Sequence, residues 1–562
     1  TSLRGGSAIL DYSASNASRL TAGSNTAAAL VLGGVDLQLK GGNFNQTLGA
    51  GGGTTLDSGF SRIRRTDGGT SSIALGTITR SSGGMIDFES GIASTTTPNT
   101  SGILGTGYAT VGTTDWATVS GGSIVALANY GTFAVPGTDQ NVTHTGTVTL
   151  ASPTIRTLKL TTSGPGESLS LSGGNLTLNG GGLLFVGSDD YTINNNSLVY
   201  SGGICIHQNG SGALTMNTRL SGGFLQKAGP GRLILAVVTN NYTTSTYLLG
   251  GTLSVHADGC LGSGSLTFNG GTLQTTAGFT TAKAVSLNAN GGTLQVDTDT
   301  LELSGIISGN YGGLTKTGPG TLLLSNTNLY NGPTTISAGT LKLGSASALG
   351  VSAAVGNRAI SPVTIEANGT LDLAGKTNFI GNFTLAGGRI TDSIGGGALG
   401  AYSFNVQSGS VEVALADVKV PYASNPSNRI NLYKRTAGTV TLAGTNTYSG
   451  TTFVEAGTLR VTGSLASSVI VQSNGTFCGS GTIARTINVE GGTLLPGDDD
   501  SGTGTLTLSR YLRLNGNSIL KAGVSASSSG RIVLTNPSAR VLLENPVLDL
   551  SLLSGGSSAF TA

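Results

Sequence analysis

Charge is scarce in this chain. Only 10% of its 562 residues are Asp, Glu, Lys or Arg, against a usual ~25%. The 29 Lys+Arg and 27 Asp+Glu leave a net charge of +2, so no basic excess exists to hold nucleic acid or an anionic membrane. Aromatic residues make up 5%, with a single Trp. A low net charge combined with 37% hydrophobic residues excludes a disordered chain. The three cysteines, Cys205, Cys260 and Cys478, form no CxxC metal or redox motif. They are too few for a disulfide framework, and each reads as a small core residue. A Cys205–Cys260 bridge stays open as the alternative.

Long apolar runs are missing too. Stretches such as 27–34 and Leu233–Val238 fall far short of the ~18 residues of a membrane helix. No strand-alternating outer-membrane barrel is evident at the C-terminus. The chain opens Thr1-Ser2-Leu3-Arg4, without a charged and apolar leader, and reads as a mature chain or an excerpt. Sustained i, i+3, i+4 apolar spacing is absent, which argues against helices.

Glycine is abundant instead, 92 residues beside 13 Pro, with no three-residue period of the collagen kind. Gly-Thr followed by an apolar residue recurs at Gly251-Thr252-Leu253, Gly271-Thr272-Leu273, Gly292-Thr293-Leu294, Gly339-Thr340-Leu341, Gly369-Thr370-Leu371, Gly457-Thr458-Leu459, Gly475-Thr476-Phe477 and Gly492-Thr493-Leu494. The steps from Gly251 to Gly271 to Gly292, and from Gly457 to Gly475 to Gly492, are short and nearly equal, while that from Gly339 to Gly369 is longer. Each copy is followed by alternation of apolar and polar residues, as in Thr340-Leu341-Lys342-Leu343, the mark of a half-buried strand. Such a unit cannot bury its apolar face alone, but stacked turns can. The expected fold is all-β: a right-handed parallel β-helix, or β-solenoid, with ~17–21-residue turns. That period gives roughly 28 turns, with Leu, Ile and Val inside and Thr, Ser and Asn in ladders.

A longer unit overlies this period. Leu314, Lys316, Gly318, Gly320 and Leu322 lead to Asn328, Tyr330, Gly332 and Thr334, then to Gly339 and Leu341. A second copy carries Leu432, Lys434, Asn446, Tyr448, Gly450, Gly457 and Leu459, with Thr436 in place of the first glycine. A third runs from Leu225 and Lys227 through Gly229, Gly231, Asn240 and Tyr242 to Gly251. This pattern resembles the autotransporter-associated β-strand repeat, also called the passenger-associated transport repeat. The resemblance covers Gly222–Leu508 and fits the chain before it only loosely. It implies a secreted or surface-displayed passenger of a double-membrane bacterium. On that basis 1–150 is expected to hold degenerate solenoid repeats, 151–221 further turns, 222–510 the recognisable repeats, and 511–562 terminal turns, incomplete or uncapped.

Candidate sites are sparse. β-Helix enzymes need carboxylates clustered on neighbouring turns. Asp372, Asp392 and Glu412 recur at the spacing of one turn, as do Asp36 and Asp57. Stacked like charges repel, so these read as outward residues. Asp498-Asp499-Asp500 follows Pro496-Gly497 and lacks the Ca²⁺-loop pattern; it reads as a solvated turn, as does Asp189-Asp190. His144, His207 and His256 are isolated. Gly51-Gly52-Gly53 lacks the Gly-Lys-Ser/Thr of a phosphate loop, and Arg64-Arg65 reads as a solvated basic pair. Asn-x-Ser/Thr sequons such as Asn16, Asn141, Asn241 and Asn382 fit chance in this composition. No catalytic, cofactor-binding or metal-binding residue is assigned. The expected function is that of a non-enzymatic extracellular structural repeat protein, self-assembling end to end into a fibre. An adhesin passenger binding glycan or cell surfaces is the alternative, and a polysaccharide-active β-helix enzyme the third reading. The expected partners are further copies of the chain, cell surfaces or glycans, with no nucleic acid.

Overall fold

The computed structural model describes residues 1–20, 30–48, 52–134, 137–350, 361–417, 429–498, 503–524 and 529–552. The protein is all-β, 57% strand and 1% helix, wound as a parallel β-solenoid of about 22 turns of ~21 residues. Two compact units divide it, Thr1–Leu314 and Thr315–Ala562.

The first unit begins with wide turns. Ser7 pairs with Asp36, Asp36 with Arg62, and Gly59 with Gly84, so each turn takes up more chain than the Gly-Thr period predicts. One wall consists of Ser7–Asp11, Asp36–Lys40, Gly59–Thr66, Gly84–Phe88 and Ala109–Val111. Alternation points every second side chain inward. Leu37, Ile63, Phe88 and Val111 therefore stack in one buried column. The winding then stops. Asp115–Ser120 runs antiparallel to both Ala109–Val111 and Ser123–Ala126. Parallel pairing resumes from Asn141, where Asn141 meets Thr157. Narrower turns follow, and Leu214, Leu233, Leu253, Leu273 and Leu294 form a column with one leucine from each turn. All five are at most 1% exposed.

This second coil runs back along the first. Asn290 accepts from the Gly6 amide (2.9 Å) and donates to the Gly34 carbonyl (2.8 Å). Asn269 donates to the Ser58 carbonyl (2.7 Å), and Asn209 to that of Thr113 (2.6 Å). Numbers fall in one coil as they rise in the other, so the coils lie side by side and antiparallel. The seam is sealed by Arg80, which bonds Gln226 and packs over the Tyr108 ring. Trp116, fully buried, meets the His207 ring edge-on at 5.5 Å. Asparagine suits this task because corner carbonyls lie outside the strand ladders and still need donors. The sequence period overcounts the turns: wide turns and antiparallel strands use chain without adding a short repeat.

In the second unit single strands run through a corner, as in Thr334–Leu343, Val363–Asp372, Asn378–Thr391, Ala398–Val411, Thr451–Val461 and Ser468–Gly479. Leu322, Leu341, Leu371, Ile390, Val411, Leu442 and Val461 form its inner column. None is measurably exposed. Burying each aliphatic side chain contributes about 1.5–3 kcal/mol. The polar ladders expected from composition are present, for example Ser245–Ser265 (2.9 Å) and Thr55–Thr79 (3.1 Å).

Candidate functional site

The recurring polar side chains point into the solenoid. Leu314-Thr315-Lys316 alternates in, out, in, and Lys316 is fully buried. Its Nζ donates to the carbonyls of Thr317 (2.7 Å), Gly318 (2.8 Å) and Ala338 (3.1 Å). Lys227 does the same with Ala228 (3.1 Å), Gly229 (2.8 Å) and Gly250 (2.9 Å). Lys434 bonds the Thr436 and Ala456 carbonyls. An ammonium has three protons and no acceptor, so a ring of carbonyls replaces its water. One acceptor in each ring (Gly250, Ala338 and Ala456) belongs to the turn ahead. Each lysine thus ties its own turn to the next. Thr436 supplies its carbonyl where the other copies have glycine, and its hydroxyl donates to the Gln407 carbonyl (3.0 Å).

Burial pushes the Lys227 ammonium from 10.5 down to about 7 and that of Lys434 down to about 8. Between pH 7 and 10.5 the folded chain then holds fewer protons than the unfolded chain, so stability rises with pH across that window and levels off below it. Burial acts oppositely on tyrosine, raising Tyr330 from 10.0 to about 12. Its contribution is present below pH 10 and is lost as pH rises toward 12. The thermal midpoint is expected to climb from pH 7 to about 9.5 and to fall above 10. A midpoint that stays flat between pH 7 and 9 would show that the lysines keep their ordinary affinity for protons.

The other repeated positions are equally internal. Tyr242, Tyr330 and Tyr448 are buried, and their hydroxyls meet Thr246 (2.8 Å), Thr334 (2.7 Å) and Thr452 (2.6 Å). Asn240 donates to the Cys260 carbonyl (2.8 Å), Asn328 to Ala348 (2.7 Å) and Asn446 to Ser464 (3.2 Å). Gly339 has φ +67°, and a Cβ there would lie 2.3 Å from the Gly318 carbonyl and 2.8 Å from Lys316 Nζ.

The three evenly spaced acids do not form a catalytic pair. Burial raises the Asp372 carboxyl, but the Ser393 amide and hydroxyl, the Ala374 amide and nearby Lys342 bring it below its usual range. Asp392 is likewise raised by burial and lowered more by the amides of Gly397 and Gly375, both at 2.6 Å. Glu412 pairs with Arg389 (2.6 Å). Asp36 is paired with Arg64 and Asp57 with Arg4. Asp190 holds the Ala213 amide (2.7 Å), and Asp498 holds the Ser480 amide and hydroxyl. Asp499, Asp500 and Gly51 lie outside the described residues.

Of Arg64-Arg65 only Arg64 is solvent-exposed; Arg65 is half-buried. Arg64 clamps Asp36, while Arg65 bonds Glu89 and the carbonyls of Ser71 and Gly91. His144 bonds the Gly146 carbonyl (3.1 Å), and His256 faces the Cys260 thiol at 3.8 Å. Burial holds His207 at about 3, hence neutral, beside the Gly107 carbonyl. Cys205, Cys260 and Cys478 are buried, and no disulfide joins Cys205 to Cys260. Among the described residues no three His, Cys, Asp or Glu gather as a metal site, and no helix is long and apolar enough to cross a membrane.

The passenger-associated-transport-repeat family matches residues 225–255, 314–343 and 432–461, the three segments that contain the lysine cradles. The chain carries three passenger-associated transport repeats. Over 478 residues the repeat protein is 31% identical to the adhesin BmaC autotransporter of Brucella suis biovar 1 (strain 1330), covering 75% of this chain and 13% of that protein. Over 85 residues it is 39% identical to an extracellular serine protease of Serratia marcescens, covering 15% of this chain and 8% of that protein. The chain thus spans a small part of these relatives' length. No solved structure matches the repeat protein. Its lysines are the residues that sequence reasoning left without a role. The signal was present: in Leu-x-Lys the lysine shares the inward parity of the leucine.

Proposed function

We propose that the repeat protein is an extracellular part of an autotransporter passenger, carried outside a double-membrane bacterium, and that it serves as a non-enzymatic stalk with adhesive faces. The observation that carries this reading is the 31% identity extending over 75% of the chain to an adhesin autotransporter. The likeness to the serine protease is confined to 15% of it. The satisfied acids support the non-enzymatic side, since each is held by local amides or cations rather than by another carboxylate. The test is adhesion of beads coated with the intact chain to host and bacterial cells, against beads coated with albumin. Equal retention of the two would remove the adhesive reading.

An end-to-end fibre is the second reading. The observation that favours it is the parallel stacking of the turns, as where Leu512 pairs with Val541 and Ile519 with Val547; a stack of this kind extends by β-augmentation. Electron microscopy of the native material tests it: fibres support end-to-end growth, and isolated particles remove it.

A further inference from the structure

We propose that a corner of the second unit, around residues 367–410, is a binding groove for a neutral polysaccharide chain. This rests on the adhesive reading above and names the ligand chemistry. Three successive turns leave the corner bare of side chains, at Gly369, Gly388 and Gly409. The packing of the turns enforces this. A Cβ at Gly388 would lie 2.4 Å from the Glu366 carbonyl, and one at Gly409 would lie 2.1 Å from that of Gly388. The result is an open groove of about 480 Å³.

Its polar lining is ordered by the strand register. Thr370, Arg389 and Ser410 follow one another on successive turns, so a guanidinium stands between two hydroxyls. Asn368 stands exposed beside them. The side chains of Asn368, Thr370 and Ser410 have no hydrogen-bond partner among the described residues. Arg389 is neutralised by Glu412 at 2.6 Å. That pair offers donors and acceptors together, which suits vicinal hydroxyls and gives an anion no net attraction. Turns repeat every ~4.8 Å, close to the length of one pyranose unit, so a sugar chain along the corner meets one polar side chain at each step. A peptide is disfavoured here, because the backbone of these strands is already paired on both sides and no edge remains for strand addition. The lining has no aromatic ring for sugar stacking, so affinity per site is expected to be weak and adhesion to depend on many copies.

The test is calorimetric titration of the full chain with cellohexaose, mannohexaose and maltohexaose, and with hexagalacturonate as the acidic comparison. At least one neutral hexasaccharide is expected to bind. Arg389→Ala and Asn368→Ala should each weaken that binding about tenfold while leaving the thermal midpoint in place. Failure of all neutral probes at millimolar concentration would overturn the groove. So would a preference for the uronate, or unchanged affinity in both variants. If native beads hold cells and Arg389→Ala beads hold them equally, the groove falls and the adhesive reading stands. If the native chain binds the sugar but holds no cells, the groove stands and the adhesive reading falls.

Discussion

Replacing Leu341 with Asp is expected to unwind the turns around it. Leu341 has no measurable exposure and sits between Leu322 and Leu371 in the inner column of the second unit. Losing the leucine costs about 2–5 kcal/mol, and burying an unpaired carboxylate adds several more. The sum rivals the ~5–15 kcal/mol that holds a whole domain together. A solenoid's stability is a sum of turns and their interfaces, so the damage should remain local. Hydrogen exchange read by mass spectrometry checks this: protection should vanish in Thr321–Leu324, Thr334–Leu343 and Val363–Asp372 and persist in distant turns. Native-like protection of all three strands would contradict the register described above.

Gly339→Val should be nearly as damaging for a different reason. The position has φ +67°, where a β-branched residue costs about 1–2 kcal/mol. The new Cβ would also press on the carbonyls of Gly318 and Gly320, at 2.3 and 2.5 Å. The first of these solvates Lys316. Displacing it leaves a buried ammonium short of a partner, a further loss of about 1–3 kcal/mol or more. Gly457 occupies the same place beside Lys434, so Gly457→Val should behave alike. Thermal unfolding followed by circular dichroism would show midpoints lower by many degrees. A shift no larger than that of an outward Thr340→Ala would mean that the cradle does not depend on the glycine.

The solenoid was legible because period and alternation are local properties. Gly-Thr-Leu repeats mark the corners, and apolar parity marks the inner columns. The fold-back of the first unit was not legible. It depends on side chains such as Asn269 and Asn290 meeting the backbone of Ser58 and Gly34, far back in the chain, and nothing in either local sequence encodes that pairing. The cradles fell between these cases. In Leu-x-Lys the inward parity of the leucine extends to Lys227, Lys316 and Lys434, whereas a lysine is almost never fully buried unless paired. Only the carbonyl rings resolve the conflict. The evenly spaced acids show the converse. Asp372 and Asp392 do fall on neighbouring turns, joined through Ser393, yet their hydrogen bonds with amides make them corner braces rather than a reactive pair.

The doubled coil of the first unit also has a mechanical consequence. Gly6 near one terminus of the unit and Asn290 near the other are joined directly, so a pull applied between Thr1 and Leu314 loads this bridge first. The Asn269 contact comes next, and the contacts at Arg80 and Asn209 follow only as each earlier one parts. Tension therefore peels the two coils apart one bridge at a time instead of shearing all of them together. A seam loaded in this way yields at low force, while the stacked turns on either side keep their winding.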